Sequence, residues 1–166
     1  GAEVTTTASP RGEALVRSLG ADHVIDYTQG RLQDRPERFD GAFDLLGGET
    51  LDATFALVKR GGTIVSVAGV PEPQMALKDL GGQRLLAAAL WFISRRIRAR
   101  AREAGVTYRF LLMHPSGEDL AMLGGLIDHG HVKVVIDRVF PLAETAAAFA
   151  YLEAGRAKGK VVVQVA

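Results

Sequence analysis

The turn Thr7-Ala8-Ser9-Pro10-Arg11 places a hydroxyl, a proline and a guanidinium side by side, with no acid among them. Ser9-Pro10 reads as a helix start, where free backbone N–H groups and the helix dipole favour an anion. Arg11 adds a planar fork of donors that matches phosphate. The chemistry this turn suits is the binding of a phosphate group. The same residues suit a plain helix start as well, with Ser9 as the cap and Arg11 in solvent. Tyr27 could stack on a base or reach a phosphate, although a tyrosine at a strand end is more often a rim residue. Two further turns, Leu46-Gly47-Gly48 and Val67-Ala68-Gly69-Val70-Pro71, contain glycine, which lets a ligand approach the backbone closely.

Other motifs lack the residues their chemistry needs. The stretch "GRAKGK" at 155–160 is one spacer short of a phosphate loop and has Val161 where Ser or Thr would bind magnesium. His129 and His131 form a His-x-His with no third ligand in view and read as a solvated helix end. His23 and His114 are isolated. Ser66, Ser94 and Ser116 lack the Gly-x-Ser-x-Gly setting of a hydrolase nucleophile. Arg95, Arg96, Arg98, Arg100 and Arg102 wrap around a helix rather than forming one stripe. A solvated helix end or a subunit contact is favoured there over nucleic acid.

The elements that must position these residues alternate between strand and helix. Strands are expected at Glu3 to Thr7, His23 to Tyr27, Ala42 to Leu46, Thr63 to Gly69 and Val106 to Met113. The second half adds "VVIDRVF" and "KVVVQV". Helices are expected after Ser9-Pro10, over Glu49 to Val58, Gln83 to Glu103, Ser116 to about Gly130, and Leu142 to Glu153. Pro71 to Leu80 reads as loop. Strands separated by helices at this rhythm argue for βαβ units with a parallel sheet and right-handed crossovers. The expected fold is therefore α/β and Rossmann-like, with helices on both faces of the sheet and a closing strand-helix-strand segment.

The composition fits that class, at 48% hydrophobic and 23% charged. A net charge of +1 gives no global field toward nucleic acid or membrane, so neither is an expected partner. Cysteine is absent, which excludes disulfides and thiolate metal sites and fits a cytoplasmic setting. No metal site is expected.

In an open parallel sheet, ligands bind beyond the carboxyl ends of the strands. A dinucleotide fold commonly has an acid after its second strand for the adenosine ribose, and an arginine where that ribose carries a 2′-phosphate. The acid-free Ser9–Arg11 turn points to the second case. It also argues against a methyltransferase, which would want the acid.

The strings "VTTTAS", "LVRSLGADHVIDY", "FDLLGG" and "VKRGGTIVSVAG" occur in that order. With "GLIDHGHVKVVIDRVFPLAETAAAFAYLEAGRAKGKVVV" they make the chain resemble the medium-chain dehydrogenase/reductase superfamily, nearest its quinone oxidoreductase-like branch. The resemblance covers essentially the whole chain. It implies NADPH as cofactor and a small-molecule quinone, enone or related carbonyl as substrate. It implies that Ser9, with help from Arg11, takes the 2′-phosphate and that Tyr27 lies beside the adenosine. Leu46 and Gly47 would pass the ribose, Val67, Ala68 and Gly69 would border the nicotinamide, and Phe110 and Leu111 would meet the carboxamide. Lys160 is a weaker carry-over, and no catalytic acid can be named.

The chain departs from that family at its front. Members carry a separate catalytic domain, a first strand and a glycine-rich pyrophosphate loop before the strand that opens this chain. The expected domains are a partial dinucleotide-binding part, 1–114, and a segment 115–166 that in relatives packs on the catalytic domain. The missing strand would be central, and a buried sheet does not tolerate unpaired strand edges. A preceding segment, a strand from a second copy, or pairing of the two flanking strands is expected to close the gap. Alone, the chain is expected to be inactive. A non-catalytic assembly module is the alternative reading.

Overall fold

The computed structural model describes residues 1–155 and 157–165. The chain divides into two compact units, one formed by residues 1–26 with 115–166, the other by residues 27–114.

In the first unit, β1 (Thr5–Ala8) pairs in parallel with β2 (His23–Asp26), with Thr5 opposite His23 and Ala8 opposite Asp26. The helix between them, α1 (Pro10–Ser18), starts where Pro10 stands at a position that needs no N–H. Asp22 closes the crossover, its carboxylate accepting the Val4 amide at 2.7 Å. Helix α5 (Gly117–Asp128) is capped by Ser116, whose hydroxyl accepts the Asp119 amide at 3.1 Å. Strands β6 (Ile136–Pro141) and β7 (Lys160–Gln164) form a second parallel pair, spanned by α6 (Thr145–Glu153). Ala8, Ile25, Phe140 and Ala148 are its buried apolar residues.

The second unit holds a three-stranded parallel sheet of β3 (Phe39–Asp44), β4 (Val58–Ser66) and β5 (Thr107–Phe110), with β4 in the middle. Ala42, Ile64, Tyr108 and Phe110 point to one face by the strand period and meet Leu51, Phe55, Ile97 and Ala101 of two helices. Those helices are α2 (Gly48–Leu57) and α4 (Arg95–Ala104). The preceding helix α3 (Arg84–Ile93) buries Ala87 and Leu90 against Met75 and Ala76.

Three readings of local structure change. Pro71 to Leu80 is not all loop, because Met75–Asp79 winds into a wide helical turn that buries Met75 and Ala76. The helix expected over Gln83 to Glu103 breaks at Ser94, whose buried hydroxyl donates to the Leu90 carbonyl at 2.6 Å. Strand β4 begins at Val58, before Gly61-Gly62 rather than after it.

Candidate cofactor site

In the second unit, β3 and β4 end side by side with Asp44 opposite Ser66. Both residues are buried. The Ser66 hydroxyl donates to Asp44 Oδ2 at 2.5 Å. The same carboxylate accepts the amides of Leu46 at 3.2 Å and Gly47 at 3.1 Å. On the other side, Ser66 Oγ accepts the Ala68 amide at 3.3 Å. One buried carboxylate and one hydroxyl thus tie together the turns after two adjacent strands. A buried charge is tolerable here because donors surround it.

The two turns are crowded. Gly47 has φ +68°, and a Cβ there would lie 2.5 Å from the Ala68 carbonyl oxygen. A Cβ on Gly69 would run into the Tyr108 hydroxyl and approach Ser66 Oγ to 2.8 Å. Glycine is required at both places by the lack of space. Tyr108 closes the arrangement from β5, its hydroxyl donating to the Val70 carbonyl at 2.9 Å. Burial pushes the Tyr108 phenol up to about 12. Its hydroxyl therefore stays protonated and donating across the physiological range.

Five residues singled out from the sequence, Leu46, Gly47, Val67, Ala68 and Gly69, lie on these two turns, and Phe110 and Leu111 lie at the end of the next strand. The Leu111 amide continues the ladder to the Ser66 carbonyl at 2.9 Å. Beside them, a cleft of about 280 Å³ is lined by Glu72, Met75, Arg109, Phe110 and Leu111. Glu72 is buried there, with Arg109 Nη1 3.6 Å from its carboxylate. Tyr27 is exposed at the start of this unit.

In the first unit, Ser9 is the residue before α1, but its side chain makes no cap hydrogen bond. Among the described residues, neither the Ser9 hydroxyl nor the Arg11 guanidinium makes a hydrogen bond or an ion pair. Lys158 Nζ instead reaches the first turn of α1, donating to the Arg11 carbonyl at 2.8 Å. Lys160 opens β7, and its amide bonds the Val135 carbonyl at 2.7 Å. Sequence reading passed over Lys158, Asp44, Ser66 and Tyr108 as site residues. For Asp44 the available signal was an acid ending an otherwise apolar strand.

Parallel strands with crossover helices, and glycine turns crowded at the carboxyl ends of adjacent strands, define a nucleotide-binding α/β protein. A family model described as zinc-binding dehydrogenase matches residues 19–163, and the chain belongs to that family, within the medium-chain dehydrogenases/reductases. It is 34% identical over 168 residues to the mitochondrial NAD(P)H oxidoreductase RTN4IP1 of Danio rerio, matching 99% of this chain and 43% of that protein. It is 33% identical to the chloroplastic NADPH-dependent alkenal/one oxidoreductase of Arabidopsis thaliana, matching 97% of this chain and 33% of that protein. Among solved structures, the quinone oxidoreductase from Coxiella burnetii superposes with a TM-score of 0.72 at 28% identity, covering 98% of this chain and 45% of that one. The chain thus spans less than half the length of these relatives.

The residues present do not fit the metal in the family's name. The sequence has no cysteine, and among the described residues no group of three His, Asp or Glu could hold an ion. Taken unit by unit, they offer chemistry that suits a nucleotide: the second unit has two glycine turns at strand ends, and the first has a hydroxyl and a guanidinium at a helix start. Among the described residues no helix is long and apolar enough to cross a membrane.

Proposed function

We propose that this chain forms the cofactor-binding part of an NADPH-dependent oxidoreductase acting on a small quinone, enone or related carbonyl compound. The observation that carries the cofactor choice is the acid-free end of β1, with its uncommitted Ser9 hydroxyl and Arg11 guanidinium. An acid there would hold a bare ribose and repel a 2′-phosphate. NADPH, when bound, supplies a hydride from its nicotinamide to the substrate. The chain's own residues bind and orient. Ser9 and Arg11 hold the 2′-phosphate and Tyr27 flanks the adenosine. The Leu46-Gly47 turn passes the ribose, and the Val67–Gly69 turn with Phe110 and Leu111 fixes the nicotinamide ring. Lys160 is a peripheral contributor. A subunit partner or a preceding segment supplies the missing strand. A reducing compartment, the cytoplasm included, suits a chain without cysteine.

Relatives named for NAD(P)H, alkenal/one and quinone oxidoreductase activity support this reading. The test compares NADPH and NADH oxidation by the full protein, with an α,β-unsaturated ketone and with a quinone. Turnover with NADPH well above that with NADH is expected. The 166-residue chain alone should bind NADPH weakly in a fluorescence titration, because it contains no Gly-x-Gly-x-x-Gly loop. Cofactor binding by the full protein without turnover of either acceptor class would favour the assembly-module reading.

A further inference from the structure

Residues 84–102 carry six arginines and no acid, in a chain whose net charge is only +1. The charge is segregated, and the near-zero total conceals it. Just before the arginines, α3 turns large apolar side chains outward. Leu85 is 90% exposed, Phe92 62%, Ile93 60% and Trp91 57%. The helix period explains which side this is. Ala87 and Leu90 of α3 and Ile97 and Ala101 of α4 fill the buried side, while Leu85 and Phe92, seven residues apart, project from the opposite one. Sheet packing accounts for the first set and leaves the second unexplained.

Two of the arginines lie over the exposed rings. Arg95 lies 4.3 Å from the centre of the Phe92 ring, and Arg98 lies 4.9 Å from that of Trp91. Arg100 pairs with Asp52, but Arg95, Arg96, Arg98 and Arg102 have no acidic partner among the described residues. Aromatic and aliphatic side chains beside an unneutralised arginine collar are the composition of helices that lie in a lipid headgroup layer. The same segment of a second copy would bring no acid to neutralise these arginines.

We propose that the outward face of α3 and α4 docks on an anionic lipid surface, with Leu85, Trp91 and Phe92 entering the headgroup layer and the arginines neutralising lipid charge. The docking is peripheral and independent of the cofactor reading. Trp91 is the sole tryptophan of the chain, so in the chain its fluorescence reports directly on this face.

The experiment adds vesicles of phosphatidylcholine with phosphatidylserine, or of phosphatidylcholine alone, to the 166-residue chain. It reads Trp91 emission together with co-sedimentation of the full protein. A blue shift with the anionic vesicles only, weakened by salt, is expected. Arg96→Glu with Arg102→Glu should reduce the affinity at least ~10-fold. Phe92→Asp should abolish the shift with Trp91 still in place, circular dichroism confirming that each variant is folded. No shift and no co-sedimentation with anionic vesicles would overturn the proposal. So would binding indifferent to the arginine reversal, a concentration-dependent self-association that alone buries Trp91, or arginine-dependent binding of duplex DNA in place of vesicles.

Discussion

Asp44 and Ser66 end neighbouring parallel strands, and the 2.5 Å hydrogen bond between their side chains joins the two turns that follow. Each turn alone is a short, bare stretch of backbone with little to hold it. Tied to one carboxylate, they form a single rigid edge.

Replacing Asp44 by alanine should therefore cost stability and loosen that edge together. The carboxylate meets three donors, from Ser66, Leu46 and Gly47. A hydrogen bond to a charged group contributes about 1.5–3 kcal/mol, and orphaned buried donors add to the loss. Asp44→Ala should lower the unfolding free energy by roughly 3 kcal/mol in urea denaturation. Ser66→Ala, which leaves the Leu46 and Gly47 amides bonded and removes the acceptor of the Ala68 amide alone, should cost about 1–2 kcal/mol. Equal and negligible effects would mean that the carboxylate does not hold the turns.

Gly69 and Gly47 should both resist substitution, for different reasons. At Gly69 the backbone is ordinary and the obstacle is the Tyr108 hydroxyl with Ser66 Oγ behind it. Gly69→Ala should cost about 1–3 kcal/mol from overpacking, and Tyr108→Phe in the same protein should recover part of it. At Gly47 the positive φ adds strain of about 1–2 kcal/mol to the clash with the Ala68 carbonyl, which no side-chain trimming relieves. Chemical denaturation of the two single variants and the double variant separates these cases.

The alternation of strands and helices was legible because buried parallel strands are short apolar runs set between glycine and polar breaks. Where punctuation had two meanings, the reading failed. Gly61-Gly62 looks like a turn, yet Gly62 is there because a Cβ would lie 2.5 Å from the Asp40 carbonyl oxygen of the neighbouring strand. Ser94 looks like an ordinary helix residue, but its hydroxyl back-bonds Leu90 and breaks the helix. The turns at Leu46-Gly47 and Val67–Gly69 could be found as glycine-containing strand ends. Their tie could not, since Asp44 and Ser66 are 22 residues apart and only the strand register sets them face to face.

Stability should fall at high pH through Tyr108. Its phenol titrates at about 12 in the folded chain, raised by burial from an ordinary value of 10.0. The folded state therefore holds this proton more tightly than the unfolded chain. The stabilisation is complete below pH 10 and is lost as the pH rises through the window from 10 to 12. Screened by solvent at the partly open phenol, the effect on stability should be about 1–2 kcal/mol. Urea midpoints measured across that window should drop steeply, and Tyr108→Phe should flatten the drop. Tyr151, also raised by its hydrogen bond to Asp137, acts in the same direction, so Tyr151→Phe is the needed control.

Cofactor preference should follow the charge at the end of β1. If Arg11 and Ser9 hold a 2′-phosphate, Arg11→Glu removes an attraction and adds a repulsion, while NADH has nothing there to lose. A charge-assisted hydrogen bond of about 1.5–3 kcal/mol corresponds to roughly 10–100-fold in affinity, so the NADPH KM of the full protein should rise by that factor with the NADH KM unchanged. Ser9→Ala should act in the same direction, more weakly. Lys158→Ala should also weaken NADPH binding, because the ammonium that meets the Arg11 carbonyl carries a second positive charge to the helix start. A merely structural role for these residues predicts equal losses with both cofactors, together with a lowered unfolding midpoint. The ratio of the two KM values, measured beside thermal unfolding, distinguishes the two roles.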